Sequence, residues 1–203
     1  MWLCDDGQVA IKSHQDRVIA RILCQEASNE MTVLFCGSQG LIEWLANLCF
    51  WHKRKRFDKT VYYIHYGYDR LLSQLTASTG QYTPGSIYQQ IDKVLAPFIA
   101  RGKRINLTGH SSGSAMAILT GHWLKRKYPA CIKRVVTFGQ PFTGFRSFHK
   151  YYLLYKRTYK ICCDLDIIIF CRLWRTFLDM WGAIYGCKMN VFTKKNARQY
   201  VCI

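Results

Sequence analysis

The sequence predicts an α/β fold: a mixed, mostly parallel central sheet flanked by helices. Three observations predict it. Short β-branched and apolar runs alternate with helix-length segments over much of the chain, the pattern of strand–helix–strand units. Near the start, two strand-like runs are separated only by the polar residues 25–30, which reads as an antiparallel hairpin joined to that sheet. At the centre, Ile105-Asn106-Leu107-Thr108 leads into Gly109-His110-Ser111-Ser112-Gly113 and then an Ala/Met/Ile/Leu stretch, giving strand, sharp turn and helix in succession.

The elements follow in order. Arg17–Cys24 and Met31–Cys36 are the hairpin strands. Gly37-Ser38-Gln39-Gly40 turns into Leu41–Phe50, where Leu41, Trp44, Leu45 and Leu48 share one helical face. The basic cluster Lys53-Arg54-Lys55-Arg56 precedes a strand at Thr60–His65, and Tyr68–Thr76 reads as a helix. Ser86 is placed to cap a helix over Ile87–Arg101, and Pro97 is expected to kink it or end its regular part. After the strand at Ile105–Thr108, a helix is expected from about Ser114 to Lys127. Further strands are expected at Ile132–Phe138 and Tyr159–Cys163, and a hairpin around Gly186 within Trp181–Thr193. No repeat or linker divides the 203 residues, so a single domain over residues 1–203 is expected.

Composition bounds the function. Half of the residues are hydrophobic and only 4 are proline, as in a folded chain with a substantial core. A formal charge of +17 favours anionic partners, and a peripheral contact with an anionic membrane surface is expected. No nucleic-acid recognition motif accompanies the charge, so no specific nucleic-acid partner is expected. The start lacks a signal-peptide pattern, and Cys24, Cys36 and Cys162 fall in strand-like apolar runs; the 10 cysteines therefore read as reduced thiols in a cytoplasmic protein. No C-x-x-C spacing suggests a metal site, and no cofactor or metal is expected. The run Ile167-Ile168-Ile169-Phe170-Cys171 ends at Arg172, too short for a transmembrane helix.

Chemistry centres on residues 109–113. In a G-x-S-x-G turn the flanking glycines allow a backbone approach that a Cβ would block. The turn presents Ser111 Oγ as a nucleophile and aims the Ser112 N–H at the same space, half of an oxyanion hole. In α/β-hydrolases an acid and then a histidine follow the serine. Downstream of Ser111 the carboxylates are Asp164, Asp166 and Asp179, the first two just past the apolar run Ile161-Cys162-Cys163.

Five segments carry a resemblance across most of the chain. Val33–Leu45 resembles "F-R-G-(S/T)" followed by an apolar helix bearing Trp, and His65-Tyr66-Gly67-Tyr68 is similar to "H-x-G-F". Thr108–Ala115 resembles "T-G-H-S-L-G-G-A", Thr137–Pro141 matches "T-F-G-Q-P", and Asp166-Ile167-Ile168 resembles "D-I-V". Order and spacing resemble the class 3, fungal-type lipases of the α/β-hydrolase superfamily. The resemblance implies Ser111 as nucleophile and Asp166 as triad acid, with Asp164 as the alternative. It further implies Ser38 as the oxyanion partner of the Ser112 N–H. Leu41–Phe50 becomes a lid-like helix led by Trp44. The implied activity is hydrolysis of a lipid ester, triacylglycerol or phospholipid, through a serine acyl-enzyme. His65 and His110 belong to family motifs outside the triad and are expected to be structural.

The sequence departs from that pattern at the base. Histidines stand at 14, 52, 65, 110, 122 and 149, and none follows Asp166; Ile184 occupies the place aligned with the family's histidine. Losing a triad member costs on the order of 10⁴–10⁶ in turnover. Three accounts follow: His149 supplies the base from another position, the tail from about Trp181 differs from the family's, or the chain is an inactive homologue that binds lipid or membrane surface. Cys36 in place of Arg, Ser112 in place of Leu and Ile169 in place of Pro are milder departures.

Overall fold

Residues 7–13, 15–24, 28–37, 52–57, 59–76, 85–162 and 200–202 are described by the structure, a computed structural model. The expected helix at 41–50, the carboxylates Asp164 and Asp166, and the hairpin at 181–193 lie outside the described residues.

The sheet grows from the hairpin. β1 (Gln8–Lys12), β2 (Val18–Cys24) and β3 (Glu30–Phe35) pair antiparallel, and β1 is a strand that the sequence pattern did not announce. β8 (Arg104–His110), β9 (Ile132–Phe138), β10 (Thr158–Cys162) and β11 (Tyr200–Cys202) then continue in parallel, giving the order β1-β2-β3-β8-β9-β10-β11. Alternation assigns the faces. Met31, Val33 and Phe35 pair with Ile105, Leu107 and Gly109, and all six are buried on the core side. The other side carries a polar network: Asn106 Nδ2 donates to Glu30 Oε2 at 2.8 Å, and Arg134 Nε donates to Asn106 Oδ1 at 3.2 Å.

Two smaller pairs, β4–β5 (His52–Phe57 with Thr60–His65) and β6–β7 (Leu75–Thr76 with Gly85–Ser86), precede the parallel strands. The helices are α1 (Tyr66–Ser73), α2 (Ile87–Ala100), α3 (Ser112–Lys127) and α4 (Arg146–Tyr151). Ser86 caps α2 as expected: its hydroxyl accepts from Gln89 N–H at 3.3 Å and Gln89 Oε1 accepts from Ser86 N–H at 2.8 Å. Of the two outcomes expected at Pro97, ending the helix is not seen: it lies in the last turn and removes only one bond close to the terminus. The helix α1 starts earlier and stops earlier than expected, since Leu75–Thr76 is drawn into β6.

Helix α3 packs across β3, β8 and β9, and nearly every residue from Ser112 to Leu124 is buried. A Cβ at Gly121 would come within 2.8 Å of Leu107 Cδ1, so glycine sets how closely α3 approaches the sheet. Ile87, Ile91 and Leu95 of α2 and Tyr68 and Leu72 of α1 complete the same core. Cys36 and Cys131 are unbridged thiols, and burial pushes the Cys131 thiol up to about 11.

Candidate active site

Strand β8 ends at His110 and α3 begins at Ser112, leaving Ser111 alone to make the turn. It does so at φ 53°, ψ −126°, a left-handed conformation unusual for a residue with a side chain. Neighbours hold it there. Ser111 N–H donates to the Phe138 carbonyl at 3.0 Å, and the Ser111 carbonyl accepts from Ser114 Oγ at 2.5 Å and from Ser114 N–H at 2.9 Å. The half-buried Ser111 side chain makes no capping bond to α3, so its hydroxyl is not consumed by the helix. Ser112 opens α3, which places its N–H at the positive end of the helix dipole.

Both glycines of the pentapeptide are sterically required. A Cβ on Gly109 would stand 2.5 Å from the Gly113 carbonyl oxygen, and one on Gly113 would stand 2.5 Å from that of Phe35. The second clash shows that the loop leaving β3 lies directly against the elbow. Gly37 continues that contact, since its Cβ would meet the His110 carbonyl at 3.1 Å. Ser38, the expected second oxyanion residue, follows by one position and lies outside the described residues.

The other motifs have local explanations. The His65 imidazole caps α1: Nδ1 accepts from Gly67 N–H at 3.1 Å and the ring lies 4.3 Å from that of Tyr68. Past β9, Gly139 turns at φ 52°. Gln140 Nε2 donates to Thr143 Oγ1 at 3.2 Å, while the Thr143 carbonyl accepts from His65 N–H at 3.0 Å. These bonds tie the segment 137–143 to the segment 65–68.

A model of the class 3 lipases matches residues 32–173. The chain belongs to the class 3 lipase family. The chain is similar to the Rhizomucor miehei triacylglyceride lipase at 22% identity, over 73% of this chain and 54% of that one, with a TM-score of 0.56. It is similar to the lipase of Rhizopus microsporus var. chinensis at 18% identity, over 83% and 59% of the two chains, with a TM-score of 0.53. A fungal lipase–inhibitor complex matches at 21% identity over 73% and 54%, with a TM-score of 0.56. At such identities the likeness shows the α/β-hydrolase fold, and the chain spans just over half the length of those proteins. No curated protein matches the sequence.

The described histidines are distributed rather than gathered. Among the described residues, Ser111 Oγ has no hydrogen bond to an imidazole. His149 lies on α4 beside Phe148, and burial, reinforced by Lys160, holds its imidazole down at about 4 against a weaker pull from the Gly144 carbonyl. His52 meets the rings of Tyr63 and Phe145 edge-on, and His110 is exposed beside the serine. His122 is buried farther along α3.

Charge is arranged differently from the sequence expectation. The basic cluster is the strand β4, and its pleat sends alternate residues to opposite sides. Lys53 Nζ and Lys55 Nζ each stand 2.8 Å from an oxygen of Asp69, which is only 1% exposed, while Arg54 and Arg56 are exposed. Half of the expected cationic patch is thus turned inward on a buried carboxylate. Asp69 was missed in the sequence; lysines two apart on a strand facing an acid on the next helix are the signal that marks it.

Proposed function

We propose that this chain is a lipid ester hydrolase whose nucleophile is Ser111. The observation that carries the reading is the Ser111 backbone, held at φ 53° between β8 and α3 with its hydroxyl left out of the helix cap. That geometry suits attack on a carbonyl more than it suits any packing role, because left-handed strain at a residue with a side chain is kept where a function needs it. In the proposed reaction, Ser111 Oγ bonds to the ester carbonyl carbon, and the Ser112 N–H with Ser38 stabilises the oxyanion. The alcohol leaves, and water releases the acid from the acyl-enzyme. Asp166, or Asp164, is the proposed acid. The C-terminal end of β10, just before these residues, lies at the same sheet edge as the elbow, since β8, β9 and β10 run parallel. The helix at 41–50, with Leu41, Trp44, Leu45 and Leu48 on one face, is the proposed lid.

The base is the weak member. An imidazole held at about 4, as in His149, is a poor proton acceptor near neutrality, so slow turnover is expected from that source. Hydrolysis of a medium-chain p-nitrophenyl ester by wild type and Ser111→Ala tests the reading. Turnover that Ser111→Ala lowers at least tenfold supports it, and equal rates overturn it.

A second reading is favoured by the lack of an imidazole on Ser111 among the described residues: a non-catalytic homologue that adsorbs to anionic lipid. The exposed Arg54 and Arg56 of β4 support it. It predicts salt-sensitive binding to phosphatidylserine vesicles that Arg54→Glu/Arg56→Glu abolishes, together with no ester turnover.

A further inference from the structure

A cavity of about 390 Å³ opens between the β4–β5 hairpin and the C-terminal half of α3. Its lining residues on α3 begin at Leu119 and extend to Lys127, 8 to 16 residues beyond Ser111. At 1.5 Å per residue they lie roughly 12–24 Å along the helix from the elbow, so the cavity is separate from the site described above. Its size falls in the ordinary range for small-molecule pockets.

The walls are aromatic: Phe57, Tyr62, Tyr88, Trp123 and Phe148. Four cationic side chains, Lys55, Arg56, Arg126 and Lys127, line it with one carboxylate, Asp69; Lys55 is paired with Asp69 and Lys127 with Asp92, which lies outside the lining. Arg126 is the informative cation. Its guanidinium sits 3.9 Å over the Phe57 ring, and Nη1 donates to Tyr62 Oη at 2.9 Å. Among the described residues Arg126 has no carboxylate partner, and its buried Nε has no acceptor. His122 is 4% exposed, and neither of its ring nitrogens has a hydrogen-bond partner. Its ring instead meets the rings of Tyr62 and Phe148 edge-on, at 5.5 and 5.2 Å.

An excess of cations over carboxylates on the lining of an aromatic cavity, with the Arg126 guanidinium free of a carboxylate among the described residues, calls for an anionic group that accepts hydrogen bonds. An ionised carboxylate is such a group, and aromatic walls suit an apolar body behind it. We propose that this cavity binds a small amphiphilic carboxylate, its anionic head on Arg126 and its apolar body among Tyr62, Trp123 and Phe148. The site stands whether or not Ser111 hydrolyses esters.

The test follows the methyl resonances of Ile64 and Leu119, both on the cavity wall, in the full chain titrated with decanoate or with decanol. Saturable shifts with decanoate are expected at concentrations at least tenfold below those needed for decanol. Arg126→Met should weaken decanoate at least tenfold, and Ser111→Ala should leave it unchanged, which separates the cavity from the elbow. Absence of saturable shifts, equal affinity for decanol, or loss of binding in Ser111→Ala overturns the proposal. Should Arg126→Met fail to fold, the decanoate–decanol comparison on wild type decides alone.

Discussion

Gly113 lies so close to Phe35 that a Cβ at position 113 would stand 2.5 Å from the Phe35 carbonyl oxygen. Backbone meets backbone there, so no rotamer change can relieve the contact. Through it, the first turn of α3 is held against the backbone of residues 35 and 36 beside Ser111. Gly113→Ala should cost about 2–3 kcal/mol in urea unfolding and remove any ester turnover, because separating the two segments displaces the N–H of Ser112, the proposed oxyanion donor.

Asp69→Asn should destabilise more than Lys53→Met or Lys55→Met alone. The single lysine variants leave Asp69 with one partner at 2.8 Å, whereas the asparagine leaves two ammonium groups facing a buried, uncharged side chain. Both lysines are about a third exposed, which moderates the loss to about 2 kcal/mol. Thermal denaturation of the three variants checks the ranking.

Acid should destabilise the fold well above the carboxylate range. Burial holds His122 down at about 3 and His149 at about 4, whereas in the unfolded chain each titrates near 6.5. As pH falls below 6.5 the unfolded chain takes up protons that the native imidazoles refuse, so stability falls with pH until those lower values are reached. Between pH 7 and 5 the loss is about 2 kcal/mol per histidine. His122→Leu should roughly halve that dependence, read from urea midpoints at the two pH values.

Ser86→Ala removes one arm of a reciprocal cap, the 3.3 Å bond from Gln89 N–H, and leaves the other, from the residue 86 N–H to Gln89 Oε1, in place. A loss of about 1 kcal/mol is expected. Ser86→Asp should retain most of the stability, since a carboxylate accepts the same bond.

Much of this was legible in the sequence where local pattern and tertiary environment agree. The hairpin Val18–Phe35, the strand Ile132–Phe138 and the Ser86 cap read correctly, and the strand expected at Ile105–Thr108 runs on to His110 before the turn that the pentapeptide makes, because period-two alternation and glycine sterics act locally. Lys53–Arg56 was not read as a strand, because its inward side is polar: the partner that buries it, Asp69, lies on a different element. The strand β1 escaped notice because QVAIK is short and alternates weakly. Helix α3 shows little amphipathic contrast, since it is covered nearly all round, and its start at Ser112 rather than Ser114 is set by the elbow. The cavity beside His122 and Arg126 is lined from β4, β5 and all of α1 to α4, and no spacing within one of them announces it.

The central claim is that Ser111 is the nucleophile, and covalent capture tests it most directly. The folded chain is treated with a fluorophosphonate and the adduct located by peptide mass spectrometry, with heat-unfolded protein as the control. The account predicts a stoichiometric adduct on Ser111 in the folded protein and none after unfolding. Absence of the adduct from folded protein, or an adduct on other serines alone, would contradict it.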